Sequence, residues 1–449
     1  MFRHVYSFLF YLALPGVWFR VLWRSLKEPE YRHDPLQRFG AVPASAFNEP
    51  EVPDNPLHRS GSNNTSGEVS QGIRGKPVLW VHAVSAGETN AVAPLVSRLL
   101  DRGYSIVVTN MTPAGRDRTR TLLGNRVENY YVPYDLPGSV KRFLRRVKPD
   151  VLIVVDTELW PNMLHYSRVA GVRILLANAR LSEKSARGYS RIRNISREMM
   201  QDVTRVAAQT EAQGCRFLKL GLSENKLHIA GSIKFDNTLP PDLEVRTEAA
   251  KQILGPGRVL IAASTHPGEE QAILSILGEL KKSLMDLRLV IAPRHTHRAK
   301  EVADLCIAAG YPVVRRTTGQ SCTHQDQVFL LDTMGELAGF YAAADVAFVG
   351  GSMVPVGGHN FIEAVMADTP VIMGPHLDSI DDIAAQFLEA NAMVVVNNQQ
   401  ELSAELHKMF ASKASRRRLA VNAAEVCSRN SGALEQIEAL VVELVNVRV

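Results

Sequence analysis

Short apolar runs alternate with helical patterns along most of this chain. In the first half, the runs that predict buried strands are Val78–Val84, Ser105–Thr109, Val151–Val155, Arg173–Ala177 and Val206–Gln209. Between them, apolar residues recur with the period of a helix, which predicts helices at Thr89–Leu100, Arg116–Leu123, Ser139–Val147, Glu183–Met200 and Glu211–Leu220. A strand-then-helix rhythm of this kind is typical of an α/β domain with a doubly wound parallel sheet.

The rhythm pauses at Gly231–Glu244, where two consecutive prolines interrupt the chain, and then resumes. The second half is predicted to contain strands at Val259–Ala263, Leu287–Ala292, Val328–Leu331, Val346–Val349 and Pro370–Met373, and two helices in Ala414–Val449. We therefore predict two Rossmann-like, doubly wound domains that face a cleft, the architecture called GT-B. The predicted boundaries are 1–26 for an N-terminal segment, 27–235 for the first domain, and 236–449 for the second domain with its C-terminal helices.

The N-terminal segment contains an almost entirely apolar or aromatic run, Val5–Trp23. A run of this length barely suffices to span a bilayer as a helix, which needs ~20 residues. We predict a membrane-anchor helix that either spans the membrane or lies in one leaflet; the alternative is a buried core helix. Arg20, Arg24 and Lys27, at or just past the end of the run, favour the cytoplasmic side for the rest of the chain.

The composition narrows the range of functions only slightly. The chain has 449 residues and a formal charge of +5, which suits an anionic ligand or a membrane surface. The chain contains no basic tract with interleaved aromatic residues, so nothing in the sequence predicts nucleic-acid binding. The four cysteines are scattered and the histidines lack zinc-ligand spacing, so we predict neither a metal nor a cofactor. The polar stretch 48–75 is interpreted as a flexible loop or insertion.

The segment Gly350–Glu363 is the strongest candidate for a ligand site. It follows the predicted strand Val346–Val349 and precedes a predicted helix, so its glycines expose backbone N–H groups where phosphate binds readily. His359, Asn360 and Glu363 add polar side chains at the same turn. The alternative is a helix cap, because Asn360 and Glu363 have the spacing of a capping box.

A similar turn follows the first predicted strand and supplies Glu88. Ser85, Ala86, Gly87 and Glu88 precede a predicted helix, at the strand end where open α/β sheets place their ligands. Glu88 in this position is a candidate general base that faces a cleft. The alternative is again a cap, since Ser85 and Glu88 also have capping-box spacing.

Three further strand ends in the second half carry polar or glycine-rich turns. The residues concerned are Thr265, Pro293, Arg294, His295, Met334, Gly335, Glu336 and Leu337. Because parallel strands end at one edge of a sheet, these turns together predict a nucleotide site. Arg294 offers a bidentate fork to a phosphate, N–H groups at 335–337 can cradle it, and Glu363 can bind ribose hydroxyls. The alternatives are a surface ion pair for Arg294 and a plain helix start at His295.

Eight short segments, taken as a set, carry a resemblance to a known family. They are His82–Glu88, Asn110–Pro113, Thr157–Asn162, Asn178–Ser182, Ser264–Glu269, Pro293–His295, Asp332–Leu337 and Gly357–Asn360. With the N-terminal run, they resemble the 3-deoxy-D-manno-octulosonic acid (Kdo) transferases of lipopolysaccharide synthesis. One departure follows Asn360, where Phe361-Ile362-Glu363-Ala364 stands in place of the Pro-Leu-Glu-Pro that is frequent in the family.

This resemblance implies a glycosyltransferase that takes Kdo from CMP-Kdo and attaches it to a lipid A precursor, lipid IVA. It implies inversion at the anomeric carbon, no metal, Glu88 as the catalytic base, and attachment to the cytoplasmic face of a bacterial inner membrane. The residues it assigns to CMP-Kdo are Pro293, Arg294, His295, Met334, Gly335, Glu336, Leu337, Asn360 and Glu363. Further candidates for substrate binding are Ser85, Gly87, Thr265, Gly358 and His359.

Two other functions fit the residues themselves. A GT-B enzyme that uses a UDP-sugar on a lipid or cell-wall acceptor would need the same turns, and spacing does not choose between CMP and UDP. A non-catalytic scaffold attached to the membrane would keep the fold without the chemistry. Glu88 in a glycine-flanked turn favours catalysis, and binding of CMP against UDP discriminates between the two donors.

Overall fold

The computed structural model describes residues 2–26, 29–44, 76–236, 239–323 and 328–446. They fall into two compact units. The first unit comprises Met1–Asp236 and Gly432–Val449, and the second comprises Asn237–Ser431. The predicted insertion at 48–75 lies outside the described residues.

Seven parallel strands form the sheet of the first unit, in the order β3-β2-β1-β4-β5-β6-β7. The strands are β1 (Val78–His82), β2 (Ser105–Asn110), β3 (Glu128–Tyr131), β4 (Val151–Val155), β5 (Arg173–Ala179), β6 (Arg205–Ala208) and β7 (Leu227–Ile229). The helices are α1 (Phe2–Arg24), α2 (Ala86–Asp101), α3 (Pro113–Leu123), α4 (Pro137–Val147), α5 (Pro161–Val169), α6 (Glu183–Arg191), α7 (Arg193–Asp202), α8 (Glu211–Lys219) and, after the second unit, α17 (Ala433–Asn446).

Both faces of the first sheet are covered, which explains why central strands such as β4 are apolar throughout. Val81 belongs to the core on one face and Trp80 to the core on the other. The Trp80 ring packs against Phe143 of α4, with ring centroids 4.6 Å apart. Its indole N–H donates to the Thr109 hydroxyl at 2.8 Å, so this large buried side chain has its polar atom satisfied.

The second unit repeats this plan, with strand order β10-β11-β9-β8-β12-β13-β14, all parallel. The strands are β8 (Val259–Thr265), β9 (Arg288–Pro293), β10 (Val313–Arg315), β11 (Val328–Leu330), β12 (Val346–Val349), β13 (Val371–Met373) and β14 (Val394–Val395). The helices are α9 (Leu243–Leu254), α10 (Glu269–Leu280), α11 (Ala299–Ala308), α12 (Leu337–Ala342), α13 (Ile362–Met366), α14 (Asp381–Glu389), α15 (Gln399–Ala411) and α16 (Lys413–Asn430).

The two Rossmann-like units confirm the predicted fold class, and every predicted strand is present with small shifts at its ends. The strands that escaped prediction are Glu128–Tyr131, Leu227–Ile229, Val313–Arg315 and Val394–Val395. Each of them is the edge strand of its sheet. Edge strands are short and covered on fewer sides, so they lack the continuous apolar run by which a central strand is recognised.

The predicted helix Glu183–Met200 is two helices in the structure. The chain leaves helical geometry at Ile192, with φ −111° and ψ 43°, and α7 begins at the next residue. The apolar period continues across this break, which is why the sequence predicts a single helix.

The predicted second domain, 236–449, differs from the structure in its last helix. α17 packs in the core of the first unit, where Ile437 and Val441 are fully buried. The Asp236 carboxylate accepts the backbone N–H groups of Gly432 and Leu434, at 2.5 and 2.6 Å, and so fixes the point where the chain returns. The amphipathic pattern of a helix predicts that one face is buried, but it does not show which sheet covers that face. The sequence alone therefore does not assign α17 to the correct unit.

α1 is a continuous helix that, by length and composition, is long and apolar enough to cross a membrane. It lies against the first unit along one side, and most of its large apolar side chains are exposed. The alternative of a buried core helix is therefore wrong. Lys27 of the predicted cationic flank lies outside the described residues.

Candidate active site

Glu88 lies in the first turn of α2, directly beyond the carboxyl end of β1. Its carboxylate accepts the backbone N–H of Val84 at 2.6 Å and the hydroxyl of Ser85 at 3.1 Å. The Ser85 hydroxyl accepts the Glu88 N–H at 3.4 Å, so Ser85 is the N-cap of α2. The predicted cap is therefore present, and it holds the Glu88 carboxylate at the strand end where a ligand site is expected.

The surroundings of Glu88 favour the protonated carboxyl group. Burial is the main reason that the pKa of Glu88 is raised to about 7, and the charge of Asp156 adds to the effect. The hydrogen bond from Val84 acts in the opposite direction, and Glu158 raises the pKa further. A carboxyl group with a pKa near neutrality can take up and release a proton at working pH, as a general base must.

Asp156 and Asn178, at the ends of the adjacent strands β4 and β5, have positive φ angles of 60° and 54°. The Asn178 amide donates to the Asp156 carboxylate at 2.9 Å, and its oxygen accepts the N–H of Ile233 at 3.2 Å. Burial raises the pKa of Asp156, and the neighbouring charge of Lys234 opposes this rise. Positive φ in residues other than glycine costs energy and is concentrated at functional sites. Asn178 thus links Asp156 to Ile233, the residue directly before Lys234.

His82 and Trp160 form a buried contact beside the same strand ends. The two rings meet edge to face with centroids 5.1 Å apart, and the Trp160 indole donates to the Glu158 carboxylate at 2.8 Å. Burial lowers the pKa of His82 to about 4, so the ring is neutral at pH 7. Its Nδ1 lies 3.1 Å from the Thr109 hydroxyl, whereas its Nε2 has no hydrogen-bond partner among the described residues.

Gly87 leaves open space next to Glu88. A Cβ atom at this position would meet nothing closer than the Ser85 hydroxyl oxygen, 3.8 Å away. The fold itself therefore does not require glycine here, and the absence of a side chain leaves room for a ligand at the start of α2.

Two asparagines of the segments that carry the family resemblance have structural roles. The Asn110 amide donates to the Ala83 carbonyl at 2.8 Å and to the Thr89 hydroxyl at 3.1 Å, which ties β2 to the start of α2. The Asn162 amide donates to the Asp135 carbonyl at 2.6 Å, and its backbone N–H donates to the Asp135 carboxylate at 3.0 Å. Both asparagines hold the loops around the strand ends of the first unit.

In the second unit, two histidines join the turns that follow β8 and β12. His266 Nε2 lies 2.7 Å from His359 Nε2, and the rings stack with centroids 5.0 Å apart. One ring must donate and the other accept, so the pair carries at most one positive charge. Burial lowers the pKa of His359 to about 4, and the charge of Arg294 adds to this effect. Thr265, directly before His266, is fully buried, and its hydroxyl has no partner among the described residues.

Arg294 is exposed just after β9, at the same edge of the second sheet. Its backbone N–H donates to the Thr265 carbonyl at 3.1 Å, which fixes the two strand ends to each other. Within the described residues Arg294 forms no salt bridge, so the predicted alternative of a surface ion pair does not hold there. Pro293 is buried at the end of β9, and the exposed His295 ring lies 6.1 Å from that of His266.

The glycine-rich turn after β12 is partly closed by a carboxylate from within the unit. The N–H groups of Gly351, Ser352 and Met353 donate to Glu269 at 2.8, 3.1 and 3.0 Å. Glu269 is buried and also accepts the N–H of His266 at 2.9 Å. The prediction that the glycines of this turn expose their N–H groups to a phosphate therefore does not hold for Gly351, because Glu269 occupies the place that an anion would take.

The later part of the turn remains a candidate ligand surface. Gly357 and Gly358 have φ angles of 106° and 76°, a region that favours glycine. Asn360 is exposed, and its oxygen accepts the N–H of Ile362 at 3.4 Å. α13 begins at Ile362, so Glu363 is its second residue and the predicted capping box of Asn360 and Glu363 is absent.

The turn before α12 brings Met334, Gly335 and Glu336 to the same edge of the sheet. Met334 is 74% exposed, and Gly335 has a φ of 84°. The Glu336 carboxylate is bound to Arg316 at 2.8 Å and accepts the Thr333 hydroxyl at 2.5 Å. Its side chain is thus committed within the protein, whereas its backbone N–H lies at the start of α12, next to that of Leu337.

Several residues around Glu88 in the first unit, and around His266 and His359 in the second, were not predicted as site residues from the sequence. Asp156 follows a buried strand, and this position is a signal that could have found it. Glu158 lies in a segment that carries the family resemblance. Lys234 has no comparable signal, because it joins the cluster through the loop after β7. Glu269 also lies in a segment that carries the family resemblance, at the start of a helix, but only tertiary contacts show its role.

Comparison with known proteins agrees with the resemblance. The profile of the family described as 3-deoxy-D-manno-octulosonic-acid transferase (kdotransferase) matches residues 38–237. The 3-deoxy-D-manno-octulosonic acid transferase of Haemophilus influenzae is 35% identical over 97% of this chain and 97% of its own length. That of Bordetella pertussis is 39% identical over 70% of this chain and 75% of its own length.

A solved structure shows the same fold at low sequence identity. A glycosyltransferase from Rickettsia africae covers 83% of this chain and 100% of its own, with a TM-score of 0.56 and 12% identity. Together with the two parallel sheets and the near full-length match to the Haemophilus influenzae enzyme, these findings show that the chain belongs to the Kdo transferase family of glycosyltransferases and has a GT-B fold.

Proposed function

We propose that this protein transfers Kdo from CMP-Kdo to a lipid A precursor, lipid IVA, with inversion at the anomeric carbon. Membership of the Kdo transferase family supports Kdo as the sugar that is transferred. The proposed chemistry rests on the Glu88 carboxyl group, which is held at a strand end by hydrogen bonds and has a pKa of about 7. The donor, the acceptor and the stereochemistry are part of the proposal.

The first unit supplies the base in this reaction. A sugar hydroxyl is a weak nucleophile, and a carboxylate within hydrogen-bond reach can take its proton as the new bond forms. Because the pKa of Glu88 is about 7, the ionised carboxylate that acts as the base is present at neutral pH. The acidic neighbours that raise this pKa also make the ionised carboxylate a stronger base than an exposed glutamate.

The second unit supplies the donor site. As the bond to the sugar breaks, the CMP phosphate gains charge, which Arg294 can stabilise through two parallel hydrogen bonds. The backbone N–H groups at Gly335, Glu336 and Leu337 are further donors for the phosphate or the nucleoside. These donors stabilise the leaving group without a divalent cation, so we expect full activity after treatment with EDTA.

We place the protein on the cytoplasmic face of a bacterial inner membrane. The apolar helix α1 supports attachment to a membrane, and an acceptor that is itself a lipid makes such attachment useful. The cations Arg20 and Arg24 near the end of α1 support a cytoplasmic position for the rest of the chain.

The test of this function is transfer from CMP-Kdo to lipid IVA, followed by mass spectrometry of the product. Glu88→Gln should reduce the rate by ~10² to 10⁴, the usual contribution of a general base. Thr210→Ala, which removes the N-cap of α8 in the same unit, is the matched control for loss of a cap and should leave the rate nearly unchanged. A Glu88→Gln enzyme with normal turnover and only a lowered melting temperature would show that Glu88 is a cap alone.

A further inference from the structure

One side of α1 contacts the first unit along the whole length of the helix. The buried and half-buried positions are 3, 6, 7, 10, 14, 17, 18, 21 and 25. They recur with the period of a helix and so form a single stripe. Because a helix rises 1.5 Å per residue, this stripe is ~33 Å long.

Specific contacts occur at both ends of the stripe. Near the start, the Ser7 hydroxyl is 3.2 Å from the Asn162 side-chain oxygen. Near the end, Trp18 stacks on Phe39 at a centroid distance of 5.8 Å. The Ser25 hydroxyl accepts a hydrogen bond from the Arg32 guanidinium at 2.8 Å. The helix is therefore docked along its length rather than projecting from the unit by one end.

The opposite side of α1 is apolar and exposed. At 100° per residue, Val5, Phe8, Leu12, Phe19 and Trp23 point within about 40° of the direction away from the stripe. Phe8, Leu12, Phe19 and Trp23 are 62%, 63%, 68% and 64% exposed. We call these five residues the outer face. Each exposes apolar area that water disfavours, and α1 has no acidic residue.

Basic residues of the unit flank the docked helix. Arg3 and Lys141 both stand over the Tyr166 ring, at 4.8 and 4.5 Å from its centroid. Arg142 donates to the carbonyl of Phe39, the residue on which Trp18 stacks. The helix that carries Lys141 and Arg142, α4, contains no acidic residue. This arrangement of an apolar face beside cations matches a leaflet that contains anionic headgroups.

We infer that α1 is an in-plane anchor, whose outer face enters one leaflet of a phospholipid bilayer while its inner stripe stays docked on the first unit. A spanning helix would drag the polar elements docked on it, including α5 and α7, into hydrocarbon, where charged groups are costly. The inference rests on the proposed function for the membrane itself and adds the mode of attachment.

The docking also has a consequence for the reaction site. Asn162, which contacts α1, follows the carboxyl end of β4, and Arg38 of the adjoining segment donates to the carbonyl of Met111 after β2. Glu88 follows β1, which lies between β2 and β4 in the sheet. The docked helix and Glu88 therefore belong to the same edge of this sheet, which suits an enzyme whose acceptor is a lipid.

The depth of spin labels in vesicles of phosphatidylethanolamine and phosphatidylglycerol tests this inference. Val5→Cys, Leu12→Cys and Phe19→Cys would be labelled in full-length protein that carries Cys215→Ser, since Cys215 is exposed. We expect one common depth, ~5–10 Å below the headgroup boundary. A spanning helix would separate the labels at 5 and 19 by ~21 Å in depth, and that result would overturn the inference. Labels that remain in water or against protein would overturn it as well.

Charge substitutions give an independent measurement. The double variant Leu12→Glu, Phe19→Glu should lose vesicle binding while keeping its thermal transition, because the docked stripe is unchanged. Val169→Glu, at an equally exposed apolar residue of the same unit, is the matched control and should bind as the parent does. Unchanged binding of the double variant would contradict the inference.

Transfer to acceptor dispersed in detergent, measured with the same proteins, separates the two proposals. Lost vesicle binding with retained transfer concerns the anchor alone. A parent protein that binds vesicles as expected but transfers no Kdo would instead overturn the proposed function and leave the anchor standing.

Discussion

The Glu88 carboxylate accepts two hydrogen bonds and still has a pKa of about 7, because burial and the charge of Asp156 outweigh them. Hydrogen bonds to the ionised form lower a carboxyl pKa, whereas burial and a like charge raise it. The cap and the base are therefore compatible roles for one residue. The cap fixes the position of the carboxylate, and burial together with the charge of Asp156 sets its proton affinity.

This balance predicts a pH dependence that Asp156→Asn should change. A general base must be ionised, so log kcat/KM should rise with pH and level off above about 7. Asparagine removes the negative charge that raises the Glu88 pKa but can still accept the hydrogen bond from Asn178. The acid limb of the profile should therefore move to lower pH, whatever happens to its height. An acid limb that stays in place would show that Asp156 does not tune the base.

The proposed role of Arg294 can be tested by measuring the binding of CMP alone. Arg294→Ala should weaken CMP binding by ~1.5 to 3 kcal/mol, the usual contribution of a charged hydrogen bond. Arg294→Lys should recover only part of the loss, because lysine lacks the planar fork. Calorimetry with CMP and UDP on the parent protein also tests the choice of donor, and we expect CMP to bind more tightly.

The matched control for Arg294 is Lys300→Ala, which removes an exposed cation from the first turn of the neighbouring helix α11. If the two alanine variants bind CMP equally well, Arg294 acts only through the general positive field of this region and not as a phosphate ligand.

At the scale of elements, the glycine-rich turn after β12 is shaped by a residue far from it in sequence. Glu269, at the start of α10, takes the N–H groups of three consecutive residues of the turn and that of His266. It thereby holds together the two turns that carry His266 and His359. The glycines serve close packing here: a Cβ atom at Gly350 would lie 2.6 Å from the Glu269 carboxylate.

Glu269→Gln should therefore lower both thermal stability and affinity for CMP. The amide has one accepting oxygen in place of two, and its NH₂ group would face backbone donors, so ~1–3 kcal/mol of stability should be lost. Glu401→Gln is the control, because the Glu401 carboxylate accepts the N–H of Asn397 on an exposed surface. Equal melting temperatures for the two variants would contradict this role.

The strands that the sequence predicts and those that it misses differ in a physical property. Central strands such as Val151–Val155 are buried on both faces and have an unbroken apolar pattern. Edge strands such as Glu128–Tyr131 are partly exposed and lack that pattern. The same reasoning applies to the site. The positions of Glu88 and Arg294 follow from strand ends, whereas the contacts of Lys234 and Glu269 depend on packing that no local pattern encodes.

At the scale of the whole molecule, the chain leaves the first unit at Asp236 and returns to it at Gly432. The return helix α17 completes a core, since Leu434, Ile437 and Val441 are buried with residues of β1 and β4. Each buried aliphatic side chain of this kind contributes ~1.5–3 kcal/mol. The first unit is therefore discontinuous in sequence, and its stability depends on residues at the far end of the chain.

This topology predicts opposite behaviour for two C-terminal fragments. Fragment 237–431 contains the whole second unit and should be monomeric, fold cooperatively and bind CMP as the full chain does. Fragment 237–449, close to the boundary that the sequence suggests, carries α17 without the core that buries it and should self-associate through that apolar face. Light scattering and calorimetry with CMP measure both properties. If the longer fragment were monomeric and the shorter one unfolded, α17 would belong to the second unit and not to the first.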